Sequence, residues 1–441
     1  MTTTPYSNDS NDSEYTKTKT KTSLKLPELL APAGNREKLI TAIHYGADAV
    51  YLGGSEYSLR AGAGNFTQQG IREAVAYAHE HKVKVYITIN IFAHNRDLQQ
   101  FREHLQSLRD TGADGLIVAD PGIFLLCQET VPDMPIHLST QANVTNSHSV
   151  RFWTSQGAQR INLARELSLE EIRTIRQDTK DTGVELEVFV HGALCISYSG
   201  RCMLSNYLTG RNANQGTCAH PCRYSYALVE EKRPGVYFPV QEDSRGTYIF
   251  NSRDLCLLGR LPELVAVGVD AIKIEGRMKS MGYVGAVVRV YRAALDAIQE
   301  QLNQGIEIQQ VALPQSFQQE IKNIGTRGQT ENFFNESHSS DAMLYDTIRI
   351  NQPYSPVGIV CESTPLLIEA RNVLTKGDQI EYLSCSTLEP IICTVVAMTT
   401  ADGKPKERAN PGNRIILTTS PALENPEINA VLRKKFAQNN P

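Results

Sequence analysis

The chain has 441 residues, enough to bury a large core and to form two domains. Hydrophobic residues make up 41% and charged residues 21%, which is ordinary for a soluble globular protein, and no apolar run approaches the length of a membrane span. The formal net charge of −4 excludes a globally basic surface, so any contact with nucleic acid must use a local patch.

Residues 1–26 form a polar and repetitive segment that we expect to be a disordered tail. The segment lacks the apolar core of a secretory signal, so we expect the protein to stay in the cytoplasm. In that reducing compartment, clustered cysteines are expected to bind a metal rather than to form disulfides.

Over residues 27–303, a short apolar run followed by an amphipathic stretch occurs eight times. The runs lie at residues 28–34, 48–54, 84–90, 114–120, 136–140, 159–164, 185–190 and 270–276. Runs that are apolar on both faces are typical of buried parallel strands, and eight such units predict an α/β fold of the (β/α)8 TIM-like barrel type. A doubly wound open sheet is the alternative, but the glycine fingerprints of its phosphate-binding members are missing from the sequence.

Four cysteines follow the seventh run closely, with the spacing C-x6-C-x15-C-x3-C: Cys195, Cys202, Cys218 and Cys222. Grouped thiolates suit an iron–sulfur cluster or a zinc ion. The spacing matches neither the C-x2-C pairing of common zinc sites nor the common ferredoxin spacings. We expect an iron–sulfur cluster, with structural zinc and unligated or disulfide-bonded cysteines as the alternatives. This cysteine-rich insertion after strand seven is assigned to residues 192–256.

Polar residues stand at the carboxyl ends of the predicted strands, where the loops of a (β/α)8 barrel carry the functional groups. Our candidates for catalysis are His191, Asp120 and Glu275. Our candidates for substrate binding are Arg165, Arg277, Asn90, Gln141 and Arg60. The arginines suit an anionic ligand, because a planar guanidinium binds both oxygens of a carboxylate. The structural alternatives are an ion pair between Arg277 and Glu275, a histidine that is satisfied by the backbone, and polar side chains that only bind loop backbone.

Arginines and tyrosines alternate within the cysteine stretch, for example Tyr198, Arg201 and Arg211. This pattern is what stacking and phosphate pairing with a single-stranded or flipped base require. A solvated loop is the alternative.

The second part of the chain has a different pattern. Residues 304–341 are polar and irregular, and we interpret them as a linker or a segment that wraps the barrel. Short β runs separated by turns over residues 342–421 predict a small C-terminal β-barrel domain, and residues 422–441 are predicted to form a C-terminal helix and tail. The cysteines outside the cysteine stretch and its flank are expected to be small buried hydrophobic residues, namely Cys127, Cys361, Cys385 and Cys393.

The stretch EVFVHGALCISYSGRCMLS resembles the signature of the collagenase-like peptidase family, whose catalytic mechanism is unassigned. The resemblance extends from ELLAPAG through NQGTCAHPCR and IKIEGRMKS to RGQTENFF, and covers most of residues 27–335. Several members are iron–sulfur proteins of hydroxylation pathways, so the resemblance implies a [4Fe-4S] cluster. The length and the small β domain are most similar to the members that are required for 5-hydroxyuridine at the tRNA wobble position, with prephenate as a needed metabolite.

The resemblance also implies a ligand set and partners. It places three cluster ligands at Cys195, Cys202 and Cys218, and prefers Cys222 over Cys256 as the fourth. The implied partners are tRNA, a small dicarboxylate metabolite such as prephenate, and a redox or accessory protein. A collagenase-like peptidase remains one alternative, although the sequence contains neither HExxH nor GxSxG. A non-catalytic RNA-binding or scaffold protein is the other.

Overall fold

The computed structural model describes residues 24–55, 57–58, 64–195, 197–223, 241–243, 246–248, 253–325, 328–335 and 352–436. The expected disordered tail up to residue 23 and the candidate Arg60 lie outside the described residues.

The main domain begins with twelve alternating strands and helices, followed by the strand that leads into the cysteine stretch. In chain order they are β1 (Glu28–Pro32), α1 (Arg36–His44), β2 (Ala49–Gly53), α2 (Gln68–Glu80), β3 (Lys84–Ile89), α3 (Leu98–Arg109), β4 (Gly115–Val118), α4 (Pro121–Thr130), β5 (Ile136–Leu138), α5 (Ser147–Ser155), β6 (Arg160–Asn162), α6 (Leu169–Thr179) and β7 (Glu185–Ala193). The cysteine stretch and the end of the domain contain α7 (Leu204–Thr209), β8 (Gln241–Asp243), β9 (Gly246–Tyr248), β10 (Asp254–Cys256), α8 (Leu261–Val267), β11 (Ala271–Ile274), α9 (Met281–Asn303), α10 (Gln315–Lys322) and β12 (Gln329–Thr330).

Eight parallel strands, β1 to β7 and β11, form a closed barrel in which β11 pairs with both β7 and β1. This confirms the predicted (β/α)8 barrel, and each of the eight predicted runs contains one barrel strand. Strand β10 pairs antiparallel with the end of β7 and extends the sheet beyond the barrel together with β12. The carboxyl ends of the barrel strands therefore surround the start of the cysteine stretch.

The strands are apolar on both faces because each face is buried against a different layer. Leu29 and Val50 belong to the large hydrophobic cluster shared with the helices, whereas Leu30 and Tyr51, one residue later in each strand, belong to a small separate cluster. Helix α6 begins at the predicted capping box, in which Ser168 N donates to the Glu171 carboxylate at 2.7 Å. Within the described residues, none of the helices combines the length and apolar character needed to cross a membrane.

The small C-terminal domain is a closed antiparallel barrel of six strands in the order β13-β14-β19-β17-β16-β20. Its strands are β13 (Tyr354–Glu362), β14 (Leu367–Ala370), β15 (Leu374–Thr375), β16 (Gln379–Leu383), β17 (Ile391–Thr399), β18 (Arg408–Ala409), β19 (Arg414–Ser420) and β20 (Val431–Lys435), with β15 and β18 forming a separate pair. The β-barrel prediction is confirmed; residues 336–351 lie outside the described residues.

The predicted C-terminal helix is wrong, because the segment forms strand β20, which closes the small barrel between β13 and β16. Val431 packs in the hydrophobic cluster of the main domain, and the adjacent Leu432 packs in the core of the small barrel. Burial on both faces removes the polar–apolar alternation by which an antiparallel strand is recognised. The expectation for the outlying cysteines holds for Cys127 and Cys393, which are buried, but Cys385 is exposed and Cys361 is only partly buried.

Buried polar contacts join the two domains. The Tyr45 hydroxyl donates to Leu383 O at 2.8 Å and accepts from Val431 N at 2.9 Å. On α10, the Glu320 carboxylate accepts two hydrogen bonds of 2.8 Å from Arg433 and one of 3.2 Å from Arg289 on α9. The described part of the segment after residue 303 therefore packs on the main barrel and contacts the small one.

Replacement of Glu320 by Gln tests this ionic contact. The substitution leaves two buried guanidiniums, Arg289 and Arg433, with less negative charge to offset them, so we expect a loss of about 3–5 kcal/mol in the free energy of unfolding. Chemical denaturation followed by circular dichroism measures the loss. The matched control is Asp133→Asn, which removes an exposed ion pair to Arg109 and should change stability little. Equal denaturation midpoints for the wild type and Glu320→Gln would show that the contact does not stabilise the protein.

Candidate functional site

A cavity of about 440 Å³ opens at the carboxyl ends of the barrel strands. The cysteine stretch covers one side of it, and strand ends and the loops after them form the other sides. Its lining includes most of the residues that the sequence singled out, namely Asn90, Gln141, Arg165, Glu275, Arg277, Cys195, Cys202, Cys218 and Cys222. The fold thus brings together residues that are up to 187 positions apart, between Asn90 and Arg277.

The four clustered thiols share this cavity wall without forming a compact set for one metal ion. All nine cysteines are described and none is in a disulfide. Cys195 is exposed and the other three are partly buried, and within the described residues no three of these thiols lie within 4.8 Å of one another. Neither the iron–sulfur cluster nor the zinc ion expected from the sequence is tested by this spacing.

The path of the cysteine stretch is fixed where it leaves β7. Gly192 has φ +112°, and a Cβ there would stand 2.4 Å from Glu275 O, so the bend and the close approach both require glycine. Further along, Ser199 has φ +40° and donates from both its backbone N and its hydroxyl to the Glu166 carboxylate, at 2.6 and 2.5 Å. Glu166 therefore anchors the loop, a role that the sequence did not reveal.

Cys256 lies apart from the four clustered cysteines. It is buried in β10, opposite His191 of β7, and it does not line the cavity. Burial raises the pKa of its thiol.

Gln141 presents a buried polar group that has no partner among the described residues. Its side-chain oxygen accepts from Asn90 Nδ2 at 2.8 Å and from Ser139 Oγ at 3.1 Å, and this fixes the orientation of the amide. The Nε2 group is buried and has no hydrogen-bond partner among the described residues. A buried donor of this kind costs about 1–3 kcal/mol unless a ligand or water accepts from it.

Arg165 lies across the cavity floor with its guanidinium 3.8 Å from the centre of the Phe189 ring. One terminal nitrogen donates to Ala193 O at 3.0 Å, and the other lies 3.8 Å from the Glu275 carboxylate. Its Nε is buried and, in the part of the chain that the structure describes, has no partner. Arg165 is thus held in place but retains a donor for an anionic ligand.

Arg277 is almost fully buried and donates to the hydroxyls of Thr88 and Ser58. The approach is close enough to exclude a side chain at position 53, where a Cβ would stand 2.6 Å from Arg277 Nη1. The Glu275 carboxylate lies 3.8 Å from Arg165 Nη2. Arg277 lines the cavity and is held by the Thr88 and Ser58 hydroxyls, and the ion pair between Arg277 and Glu275 stays a prediction.

Two of the catalytic candidates have structural positions instead. The Asp120 carboxylate accepts from Gly122 N and Ile123 N at 2.8 and 3.0 Å, and so caps α4. His191 is 1% exposed and lies outside the cavity lining, with its Nδ1 3.3 Å from the Tyr291 hydroxyl. Burial lowers the pKa of His191 to about 4, against the opposing effect of the Asp254 charge, so the imidazole is neutral at physiological pH.

The sequence analysis missed a buried lysine in the same cavity. Lys273 of β11 is 4% exposed, lies 2.9 Å from the Glu187 carboxylate of β7, and has its Nζ 4.6 Å from the centre of the Tyr51 ring. Glu187 also accepts from Asn162 Nδ2 at 2.7 Å. The sequence contained one indication of this lysine. Charged residues occur at alternate positions of runs that we interpreted as apolar on both faces, such as IKIE at 272–275.

Comparisons with known proteins show which family the chain resembles. The family model described as Peptidase family U32 matches residues 34–344. The tRNA hydroxylation protein P1 of Bacillus subtilis (strain 168) is 38% identical over 390 residues, which cover 87% of this chain and 90% of that protein. The tRNA hydroxylation protein P of Escherichia coli (strain K12) is 41% identical, covering 61% and 68%. The 23S rRNA 5-hydroxycytidine C2501 synthase of the same strain is 34% identical, covering 81% and 52%.

The matched region contains the entire (β/α)8 barrel from α1 onwards, together with all four clustered cysteines and the polar residues of the cavity that lie beyond residue 34. The family model and the extended similarity to the first of these relatives lead to one conclusion: the chain belongs to peptidase family U32.

Proposed function

We propose that this protein is an RNA-hydroxylating enzyme that acts on tRNA and is required for 5-hydroxylation of the wobble uridine. The observation that carries the proposal is the convergence of four cysteines that form no disulfide and several buried polar donors on one cavity at the barrel mouth. The relatives named for hydroxylation of tRNA and of ribosomal RNA support the reaction class. The choice of wobble uridine rests on the resemblance to the tRNA members.

The proposed cofactor is a [4Fe-4S] cluster held by Cys195, Cys202, Cys218 and Cys222. When bound, such a cluster supplies one-electron transfer, and four thiolate ligands would leave no iron open to a substrate. Cys222 is preferred to Cys256 because Cys222 lines the cavity, whereas Cys256 is buried in β10. A cluster that transfers electrons needs a donor, so a redox or accessory protein partner is part of the proposal.

The proposed small-molecule ligand is a dicarboxylate of the prephenate type, bound in the same cavity. Arg165 Nε and Gln141 Nε2 support an anionic ligand, because both are buried donors without a partner among the described residues. Lys273 and Arg277 add positive charge to the lining. Hydrogen bonds from arginine to a carboxylate are stronger than neutral ones, so Arg165 should contribute more than Gln141 to affinity.

The surface beside the cavity supports an RNA substrate. Tyr198 lines the cavity and is 52% exposed, and Met203 is 66% exposed. Arg201 and Arg211 are exposed on the same stretch. An exposed aromatic ring next to arginines can stack an unpaired base while the cations bind the phosphates that flank it. A wobble base lies in a loop and is therefore already single-stranded when it reaches the cavity.

The family name raises proteolysis as the competing function, but two serines of the cysteine stretch, Ser199 and Ser205, have other partners. The Ser199 hydroxyl donates to Glu166, and the Ser205 hydroxyl accepts from Ala219 N at 3.0 Å. Both hydroxyls hold the loop in place. Neither contact resembles a nucleophile paired with a general base.

Nucleoside mass spectrometry of tRNA tests the reaction. A strain that lacks this gene and any paralogue should lose hydroxyuridine-derived nucleosides, and the wild-type gene should restore them. Complementation with Cys202→Ser should fail, because the variant removes one proposed cluster ligand. Normal tRNA in the deletion strain would contradict the proposal. If purified protein then cleaved gelatin, the peptidase alternative would replace it; tRNA binding without cleavage or modification would favour an RNA-binding scaffold.

Iron content tests the ligand set. Protein purified without oxygen should be brown and contain about four iron and four sulfide per chain. Cys222→Ser should lose the visible absorption and most of the iron, because a ligand on the cavity wall is removed. Cys256→Ser is the matched control, since it changes a nearby thiol that lies outside the cavity, and it should keep both. A colourless wild type with one zinc per chain, or bleaching only in Cys256→Ser, would contradict this assignment.

Binding of prephenate to the cluster-containing protein tests the ligand site. Arg165→Gln should lower the affinity about tenfold to several thousandfold, because the ligand carboxylate loses a buried charged partner. Gln141→Leu removes a neutral donor and should cost about two- to tenfold. Arg173→Gln, which changes an exposed arginine of α6, is the control and should bind normally. Calorimetric titration of variants with matched melting temperatures measures these effects. Unchanged affinity in both cavity variants would place the ligand elsewhere.

A further inference from the structure

A second group of metal-type ligands lies between the two domains, away from the barrel mouth. His44 is the last residue of α1 in the main barrel, whereas Cys385 and Glu427 belong to the segments that follow β16 and precede β20 in the small barrel. The His44 imidazole nitrogen, the Cys385 sulfur and a Glu427 carboxylate oxygen all lie within 4.8 Å of one another. Among the described residues this is the only set of three such ligands at that spacing.

The spacing is close to that of a tetrahedral zinc site. His44 Nε2 lies 3.7 Å from Glu427 Oε2. With zinc–ligand bonds of usual length, nitrogen and oxygen ligands stand about 3.4 Å apart, and nitrogen and sulfur ligands about 3.6 Å apart. Side-chain adjustments of a few tenths of an ångström to about one ångström would therefore bring the three atoms onto one ion.

The Glu427 carboxylate is already oriented by its neighbours. Ser384 Oγ donates to Oε1 at 2.7 Å, and Cys385 N donates to Oε2 at 2.9 Å. In protein metal sites, hydrogen bonds from neighbouring groups that do not bind the metal hold the carboxylate ligands in orientation. The oxygen nearest to His44 is thereby held towards the imidazole.

His44 supplies an independent observation. Its side chain is 12% exposed, and Nε2 is a buried atom without a hydrogen-bond partner among the described residues. The 3.7 Å separation from Glu427 is too long for a hydrogen bond. A buried imidazole nitrogen that faces a carboxylate and a thiol, but bonds to neither, is left in a position that a metal ion would satisfy.

We propose that His44, Cys385 and Glu427 bind one Zn²⁺ ion that links the (β/α)8 barrel to the small β barrel. Zinc is the ion of choice because the set combines nitrogen, sulfur and oxygen ligands, which hard cations such as Mg²⁺ and Ca²⁺ do not select. Cys385 is exposed, so the fourth position of the tetrahedron faces solvent and takes a water molecule.

A bound zinc ion would stabilise the contact between the two domains. The ion would join residue 44 to residues 385 and 427, which are far apart in the chain, next to the buried contacts of Tyr45 with Leu383 and Val431. Because zinc binds only where both domains supply ligands, its binding free energy adds to the stability of the docked arrangement. The site is independent of the proposed cluster and of the reaction.

Metal analysis of the full-length, anaerobically purified protein tests the proposal with the zinc ion itself as the probe. After incubation with Zn²⁺ and removal of the excess, we expect Cys385→Ser and Glu427→Gln to contain one zinc per chain less than the wild type, with unchanged iron. Cys361→Ser, a partly exposed thiol of the same small barrel, is the control and should contain as much zinc as the wild type. Substitution with Co²⁺ should give a thiolate-to-metal charge-transfer band that Cys385→Ser lacks.

A cluster-site variant separates this proposal from the proposed function. The single variant Cys202→Ser should contain less iron than the wild type. The double variant Cys202→Ser/Cys385→Ser should still contain one zinc per chain less than Cys202→Ser alone. In the wild type, zinc should raise the melting temperature, and in Cys385→Ser it should not. Equal zinc content in the wild type and Cys385→Ser, or a charge-transfer band that survives in Cys385→Ser, would overturn the site whether or not the mouth holds a cluster.

Discussion

The buried ion pair between Lys273 and Glu187 is the interaction on which the functional face depends. It joins β11 to β7, the pair of strands at which the eight-stranded barrel closes, and both side chains are at most 4% exposed. Removal of either partner would leave a buried charge, a change that typically costs about 3–5 kcal/mol. Asn162 and Arg160 contact the same carboxylate, so the barrel interior holds a connected polar network rather than an isolated pair.

The floor of the mouth cavity is built on this network. Lys273 lines the cavity directly, and Phe189, two residues beyond Glu187 on β7, carries the guanidinium of Arg165. Packing inside the barrel thus fixes the side chains at the strand ends. The cysteine stretch is fixed by hydrogen bonds from Ser199 N to the Glu166 carboxylate and from Arg201 Nε to Gln141 O. Preorganisation of this kind keeps buried donors in place without a ligand, such as Gln141 Nε2 and Arg165 Nε, which have no partner among the described residues.

The main barrel could be predicted from sequence because parallel strands buried on both faces give continuous apolar runs, and because the Ser168 capping box marks a helix start. Interpreting the runs as apolar on both faces also hid the polar network inside the main barrel. Lys273 and Glu187 stand at alternate positions of runs that otherwise look apolar. Only the closure of the barrel, which pairs β11 with β7, shows that their side chains meet in an ion pair. Strand β20 was mistaken for a helix for a related reason, since the main domain buries one of its faces and the small barrel buries the other.

Candidates that were chosen from strand ends had mixed outcomes, because chain position does not determine side-chain direction. Gln141, Arg165 and Arg277 point into the cavity, whereas Asp120 turns back to cap its own helix and His191 lies beneath the loop. The placement of Cys222 and Cys256 shows the same limit. The family resemblance gave only a preference for Cys222 over Cys256, and in the structure Cys256 lies in β10, which pairs with β7 outside the cavity lining.

The small barrel is part of the same structural unit as the main barrel rather than a tethered module. Docking buries Tyr45, Glu320 and Arg289, and a truncation before β13 would expose all three and leave their polar groups without partners from the small barrel. Deletion would therefore lower stability in addition to removing any function that the small barrel has. Substitutions on exposed turns separate these effects, since Lys376 and Lys404 pair only with the nearby exposed acids Glu407 and Asp402 among the ion pairs of the described residues. Any effect of such a substitution on tRNA affinity would then report on the surface rather than on the docking of the two domains.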